Sequence, residues 1–158
     1  MSTTHWLDPD EQQTWRRYMR MQIHLQRRLS QQLQRDSGLS DADFGVLVNL
    51  SEAEDGRLRA FALADDLKWE KSRLSHHLTR MQKRGLVTRE DCETDARGAV
   101  VVLTPDGRTA IDRAAPLHVA EVRELFIDAL SAEQRRSLDD ICATVLVGLG
   151  SPMTGADA

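Results

Sequence analysis

The chain has 158 residues, 41% hydrophobic, 29% charged and only 4% aromatic, with a formal net charge of −4. That length suits one compact domain with a real core, and the composition is that of a soluble helical protein rather than a disordered one. No apolar run approaches the roughly 18 residues of a membrane span, and Met1–Asp10 has neither the basic start nor the apolar stretch of a signal peptide.

Residues 1–8 read as a flexible N-terminus. A first helix is expected over residues 9–37, with Pro9 in its first turn and Asp10 and Glu11 near the positive end of the helix dipole. Trp15, Tyr18, Gln22, Leu25, Leu29 and Leu33 recur at three- and four-residue steps, so one face is apolar and the other carries Arg and Gln. The helix is long for its own core, which points to a role beyond it. Ser37-Gly38 closes it.

A second helix starts at Ser40, with Asp43 three positions on as in a capping box, and ends at Glu54-Asp55-Gly56. A short helix follows at about Ala60 to Leu67, then a tight link. The next helix, about Lys71 to Arg84, turns Leu74, Leu78 and Met81 inward, and Gly85 stands where a left-handed cap belongs. The period then changes: Leu86 to Cys92 and Ala99 to Leu103 read as two strands around a polar turn. Thr104-Pro105 starts a helix running towards Ala129, with a kink expected at Pro116. Ser131 and Gln134 box the start of a last helix ending near Gly148, striped by Leu138, Ile141, Val145 and Leu149. Residues 105–150 thus form two C-terminal helices and residues 151–158 a flexible tail.

The net charge conceals its distribution. From Lys71 to Arg89 there are six basic residues, Lys71, Arg73, Arg80, Lys83, Arg84 and Arg89, and no Asp or Glu. A polyanion meets a concentrated basic patch there, while the acidic remainder is repelled and helps to orient it. Many charge runs are only solvated faces, so the geometry around this one matters. Helix, helix, tight link, helix and two-stranded hairpin, over residues 38–104, is the order of a winged helix-turn-helix. Its second helix buries one face and offers the other to the major groove. Lys71, Ser72, Arg73, Ser75, His76, Thr79, Arg80, Lys83 and Arg84 are the candidate DNA contacts on that helix. Arg73 and Arg80 have the reach for guanine edges, and Lys83 and Arg84 suit the backbone. Arg97, at the hairpin tip, is placed for the adjacent minor groove.

In these fragments the sequence resembles the MarR family of regulators: Leu63-Ala64-Asp65-Asp66-Leu67, Ser72-Arg73-Leu74-Ser75, Met81-Gln82-Lys83-Arg84-Gly85-Leu86-Val87, Asp95-Ala96-Arg97-Gly98 and Val102-Leu103-Thr104-Pro105-Asp106-Gly107. Their order and spacing carry the resemblance over about Trp15 to Leu149. It implies a mainly α fold with a small two-stranded β-wing, in which the first helix (residues 9–37) and the last two helices (residues 105–150) of two copies interlock as an intertwined dimer base. It further implies a transcription regulator, more often a repressor than an activator, acting as a homodimer on duplex DNA with a pseudo-palindromic operator. By the same resemblance Asp95 holds the wing, though Asp also serves simple turn chemistry, and Arg97 reaches DNA. A small, often aromatic effector would bind between dimer base and winged lobe, with Tyr18, Met21, His24, Leu25, Phe44, Leu47 and His118 as candidate pocket residues. Two departures stand out: Lys68 and Trp69 fill a link that lacks glycine, and Arg59 stands where a Ser or Thr cap is usual.

Other chemistries find less support. His76 and His77 are adjacent and project to different sides of a helix, and His24 and His118 with Glu121 would need to converge to hold zinc, so no metal or other cofactor is expected. Cys92 and Cys142 make no disulfide framework, and the expected compartment is the reducing cytoplasm, with no membrane partner. Arg89 would favour a Cys92 thiolate while Asp91 and Glu93 oppose it, and the first helix has no cysteine of the kind used by the family's peroxide sensors. No nucleophile elbow, phosphate loop or metalloprotease motif is present, so an enzyme is not expected. A metal- or redox-responsive regulator, or an interaction adaptor on a degenerate winged helix, remains as the alternative. An adaptor has no need of an acid-free run from Lys71 to Arg89.

Overall fold

A 29-residue helix, α1 (Pro9–Ser37), opens the computed structural model, which describes residues 4–90 and 99–150. Its start is more tightly built than the sequence signals. Asp8, read above as part of a flexible end, accepts hydrogen bonds from the backbone N–H groups of Asp10 and Glu11, both at 2.9 Å, and Glu11 accepts in turn from the Asp8 N–H. This reciprocal box satisfies amides that a helix otherwise leaves without partners.

Ser40 and Asp43 box the start of α2 (Asp41–Glu52) with backbone contacts of 3.0 and 3.1 Å. A single 3₁₀ turn, Glu54–Gly56, then leads into β1 (Arg57–Arg59), a strand that the sequence reading does not contain. Three residues with one apolar side chain show no period. Next comes α3 (Ala60–Asp66), which begins without a side-chain cap because the Ala60 N–H donates to the Ala99 carbonyl at 3.0 Å. That contact answers the departure noted at Arg59.

The glycine-free link is closed by Lys68, whose φ of 54° lies in the left-handed region. The Lys68 N–H donates to the Asp65 carbonyl at 3.1 Å and the Trp69 N–H to the Ala64 carbonyl at 2.9 Å. Those are the two bonds of a Schellman ending, here completed by lysine. The turn into α4 (Lys71–Lys83) is therefore as defined as one with glycine. At the other end of α4, Gly85 takes φ 77° as expected, and the Leu86 N–H returns to the Met81 carbonyl at 3.1 Å.

The strands β2 (Val87–Glu90) and β3 (Val100–Leu103) pair antiparallel, Val87 opposite Leu103 and Arg89 opposite Val101. On its other side β3 pairs with β1, Leu58 opposite Val101, so the expected two-stranded wing is a three-stranded sheet in the order β1-β3-β2. The valine-rich β3 has two edges to satisfy, and the short β1 takes the second one.

Thr104 caps α5 (Pro105–Val122), accepting from the Gly107 N–H at 2.9 Å and donating to the Gly85 carbonyl at 2.6 Å. The helix runs on through Pro116, and its departure from α spacing comes later, as a π turn at Arg123–Ile127. Ser131 and Gln134 box the start of α6 (Ala132–Gly148). Residues Met1–Val119 form one compact unit, and its core joins Leu47 and Leu50 of α2, Leu63 of α3, Leu74, Leu78 and Met81 of α4, Val87 and Val101 of the sheet, and Ile111 of α5. In the second unit, Ala120–Ala158, α6 has no buried residue. Among the described residues no helix is long and apolar enough to cross a membrane.

Candidate nucleic-acid interface

The α4 helix sorts its residues by angle. Leu74, His77, Leu78 and Met81 are buried, which turns Ser72, His76 and Lys83 directly outward. Lys71, Ser72, Arg73, Ser75, His76, Arg80, Lys83 and Arg84 are all exposed, and Thr79 is half-buried. The described members of the expected DNA-contacting set therefore share one helix, but the structure divides them into an outward stripe and two flanks with separate tasks.

On one flank stands Arg89, from β2. The two-residue alternation of the strand puts it on the same face as the fully buried Val87, beyond the apolar core and against α4. Its guanidinium donates to the Thr79 hydroxyl at 2.8 Å and to Gln82 Oε1 at 3.2 Å, with the Ser75 hydroxyl at 3.5 Å. Ser75 and Thr79, expected to face DNA, thus also hold a cation from the sheet. Sequence reasoning counted Arg89 in the basic run but did not place it at the interface. Its position two residues after Val87 in an alternating strand was the available signal.

The other flank faces α2. Arg84 is not a free backbone-binding cation: it donates to Asp43 Oδ2 at 2.7 Å and to the Gly38 carbonyl at 3.2 Å. Asp43 is 3% exposed on its side chain, while Arg84 remains 43% exposed. Burial pushes the Asp43 carboxyl up, but the Arg84 guanidinium and the Ser40 N–H outweigh it and hold the group below its ordinary value. His77, which the sequence reading left unassigned, is buried beside this pair. Its Nε2 lies 3.0 Å from Asp43 Oδ1, close enough for an ion pair though not aligned as a full hydrogen bond, and neither atom has another hydrogen-bonding partner among the described residues. Burial is the main cause that keeps the imidazole below its ordinary value, with Asp43 opposing and Arg80 assisting. The Arg73 guanidinium stacks 4.3 Å from the centre of the Trp69 ring.

Asp95 and Arg97 lie outside the described residues, as do Cys92 and the 151–158 tail. The seven candidate effector residues separate into two groups. Phe44 and His118 meet, their rings 4.6 Å apart, and His118 Nδ1 lies 3.2 Å from Oε1 of the buried Gln32, while Leu47 is fully buried in the core. Tyr18, Met21 and His24 stay exposed on α1 and Leu25 is half-buried, with Tyr18 packed beside Trp15 at 5.8 Å between ring centres. Among the described residues, no three His, Cys, Asp or Glu side chains group closely enough to hold a metal ion. Cys142 is exposed on α6 as a free thiol.

Residues 37–98 match the sequence model of the MarR family. The fold superposes on AbsC, a MarR family transcriptional regulator from Streptomyces coelicolor, with a TM-score of 0.87 at 42% identity, over 92% of this chain and 98% of that one. It is equally similar to Sco3205, a second MarR family transcriptional regulator from Streptomyces coelicolor, solved in complex with DNA: TM-score 0.88, 42% identity, 94% and 93% coverage. An uncharacterized HTH-type transcriptional regulator of Bacillus cereus is 27% identical over 131 residues, 83% of this chain and 85% of that protein.

Proposed function

Since the chain belongs to the MarR family of transcriptional regulators, we propose that it is a cytoplasmic, homodimeric repressor of a pseudo-palindromic operator, released by a small, often aromatic molecule. The observation that carries the DNA-binding reading is α4 itself: an apolar face sunk in the core and an exposed face with no acidic residue from Lys71 to Arg89. Its N-cap, Glu70, makes no side-chain cap bond, so a phosphate oxygen can take the place of a cap at the first-turn amides. Arg73 and Arg80 read base edges. Lys71, His76 and Lys83 contact phosphates, and Arg89 adds a charge from the sheet side. Arg97 enters the minor groove while Asp95 holds the wing.

The homodimer reading rests on apolar side chains left exposed among the described residues. Trp15, Tyr18, Met21 and Ile23 on α1 are exposed, as are Ile141 and Val145 on α6 and Leu149 just after it. A second copy covers them and sets two α4 helices about 34 Å apart, the spacing of successive major grooves. The effector reading rests on the contact of Phe44 with His118, where an aromatic ring would find both a flat partner and a polar one. Its binding shifts the population away from the DNA-competent spacing.

Selection of duplexes from a random-sequence library by the purified protein, at stated salt, tests this. The expected product is an inverted repeat with half-sites about one helical turn apart. Enrichment of no sequence, with the protein folded, would refute it.

A further inference from the structure

The flank of α4 that faces α2 holds a buried group that DNA contact alone does not explain. Arg73, His77, Arg80 and Arg84 follow one another at i, i+4, i+7 and i+11, so one stripe carries three arginines around one histidine. His77 is 6% exposed and meets each arginine by a different route. Its Nδ1 is 2.9 Å from an Arg80 guanidinium nitrogen. Its ring meets Trp69 edge-on, centres 5.6 Å apart and planes at 88°, and the face of Trp69 carries Arg73. Its Nε2 faces Asp43, which also binds Arg84.

The protonation state follows from this geometry. A guanidinium only donates, so Nδ1 must accept and the ring proton must sit on Nε2, facing the carboxylate. Arg80 therefore requires this tautomer, and the Asp43 carboxylate, 3.0 Å from Nε2, favours it electrostatically. We propose that His77 is a positioning residue for sequence recognition: anchored by Asp43, it fixes Arg80 directly, and Arg73 through Trp69, in the orientation that reads base edges. This rests on the DNA-binding reading above and adds to it the device that sets specificity. Arg73 and Arg80 stand about 10.5 Å apart along the helix, roughly three base-pair steps. Holding two rotamer-rich side chains at that separation converts it into a spacing between two bases and lowers the ordering cost of binding. Protonation undoes the device, because Nδ1 then donates and must release Arg80. The charges facing the ring are Asp43 from α2 and Arg80 and Arg84 from α4, with the neutral Trp69 of the link bearing Arg73.

The test is duplex selection from a random library by the full chain, comparing wild type, Arg80→Ala, His77→Gln and His77→Asn. Asparagine places an amide oxygen near the Nδ1 position and keeps the acceptor for Arg80. Glutamine places its amide nitrogen near the Nε2 position, keeping Asp43 partnered while removing that acceptor. Arg80→Ala identifies the base positions that Arg80 reads. At those positions His77→Gln is expected to lose about tenfold of the base preference, with affinity for random duplex unchanged, while His77→Asn retains it. Lowering the pH below the ordinary histidine range relaxes the same positions in wild type but not in His77→Asn. The proposal is overturned if a folded His77→Gln protein keeps full preference, or if the Asn variant loses as much as the Gln variant, which is what a packing role alone predicts. Should His77→Gln fail to fold, the pH comparison decides, and equal responses in wild type and His77→Asn overturn it. Failure of wild type to enrich any sequence refutes DNA recognition itself, and is distinct from loss at one set of positions.

Discussion

Asp43 performs three tasks with two oxygens: it boxes the start of α2, pairs with Arg84 at the end of α4 and faces Nε2 of His77 at 3.0 Å. Both titrating partners make the winged lobe sensitive to acid in the same direction. The unfolded chain takes up a proton on His77 near the ordinary value of 6.5, whereas the folded chain resists it, so stability falls as pH drops from there towards the lowered folded value. Asp43 acts further down: its contribution is complete above the ordinary 3.8 and is lost as pH falls through its still lower folded value. The denaturant midpoint of wild type should therefore decline between about pH 7 and 5, and His77→Asn should flatten that decline. Equal slopes in the two proteins would remove His77 from the account. A second residue sits under a steric constraint instead. A Cβ on Gly107 would lie 2.1 Å from the Leu86 carbonyl oxygen, a backbone atom that cannot swing aside. Gly107→Ala is expected to cost about 3 kcal/mol or more in denaturant unfolding, since the start of α5 must move off the backbone that leads from α4 into β2. A loss below about 1 kcal/mol would mean that this junction is pliant.

Among the elements, α4 and β2 work as one surface, because Arg89 ties the strand to Ser75, Thr79 and Gln82. Arg89→Ala should weaken binding to operator and random duplex alike and reduce the steepness of the salt dependence by about one phosphate contact. Loss confined to the selected sequence would instead make Arg89 a base reader. How far these elements were legible in the sequence depended on the range of the forces that make them. α1, α2, α4 and α6 announce themselves through apolar period, capping residues and terminal glycine, all local signals. β1 did not: Arg57-Leu58-Arg59 is a strand only because β3 offers a free edge 43 residues later, where Leu58 meets Val101. The site divided in the same way. The exposed face of α4 followed from Leu74, Leu78 and Met81, but the diversion of Arg84 to Asp43 and the burial of His77 arise from contacts between helices that sequence spacing does not encode. Nothing in the chain before Ser40 marks Asp43 as more than a cap.

For the whole molecule, the decisive imbalance is between a well-filled winged lobe and helices whose apolar stripes face outward. Ile141, Val145 and Val147 of α6 and its C-cap Leu149 are 55–73% exposed, and α6 buries none of its 17 residues. Apolar surface is worth about 25 cal/mol per Å² when removed from water, and a helix with such a stripe has every reason to find a second copy. One winged lobe alone would bind a half-site weakly, and coupling two lobes multiplies the affinity without any new contact to DNA. Val145→Asp separates these effects, because the residue is 55% exposed and lies outside the buried core. A carboxylate there must either be solvated, which keeps the copies apart, or be buried without a partner. The variant is expected to sediment as a monomer at micromolar concentration with its helix content intact, and to lose at least about 100-fold in operator affinity while binding a single half-site as wild-type monomer would. Leu138→Asp should act in the same direction from a half-buried position, with some loss of stability as well. If Val145→Asp sediments as a dimer, the interface lies elsewhere on the chain, and the spacing of the two α4 helices must be set by other elements.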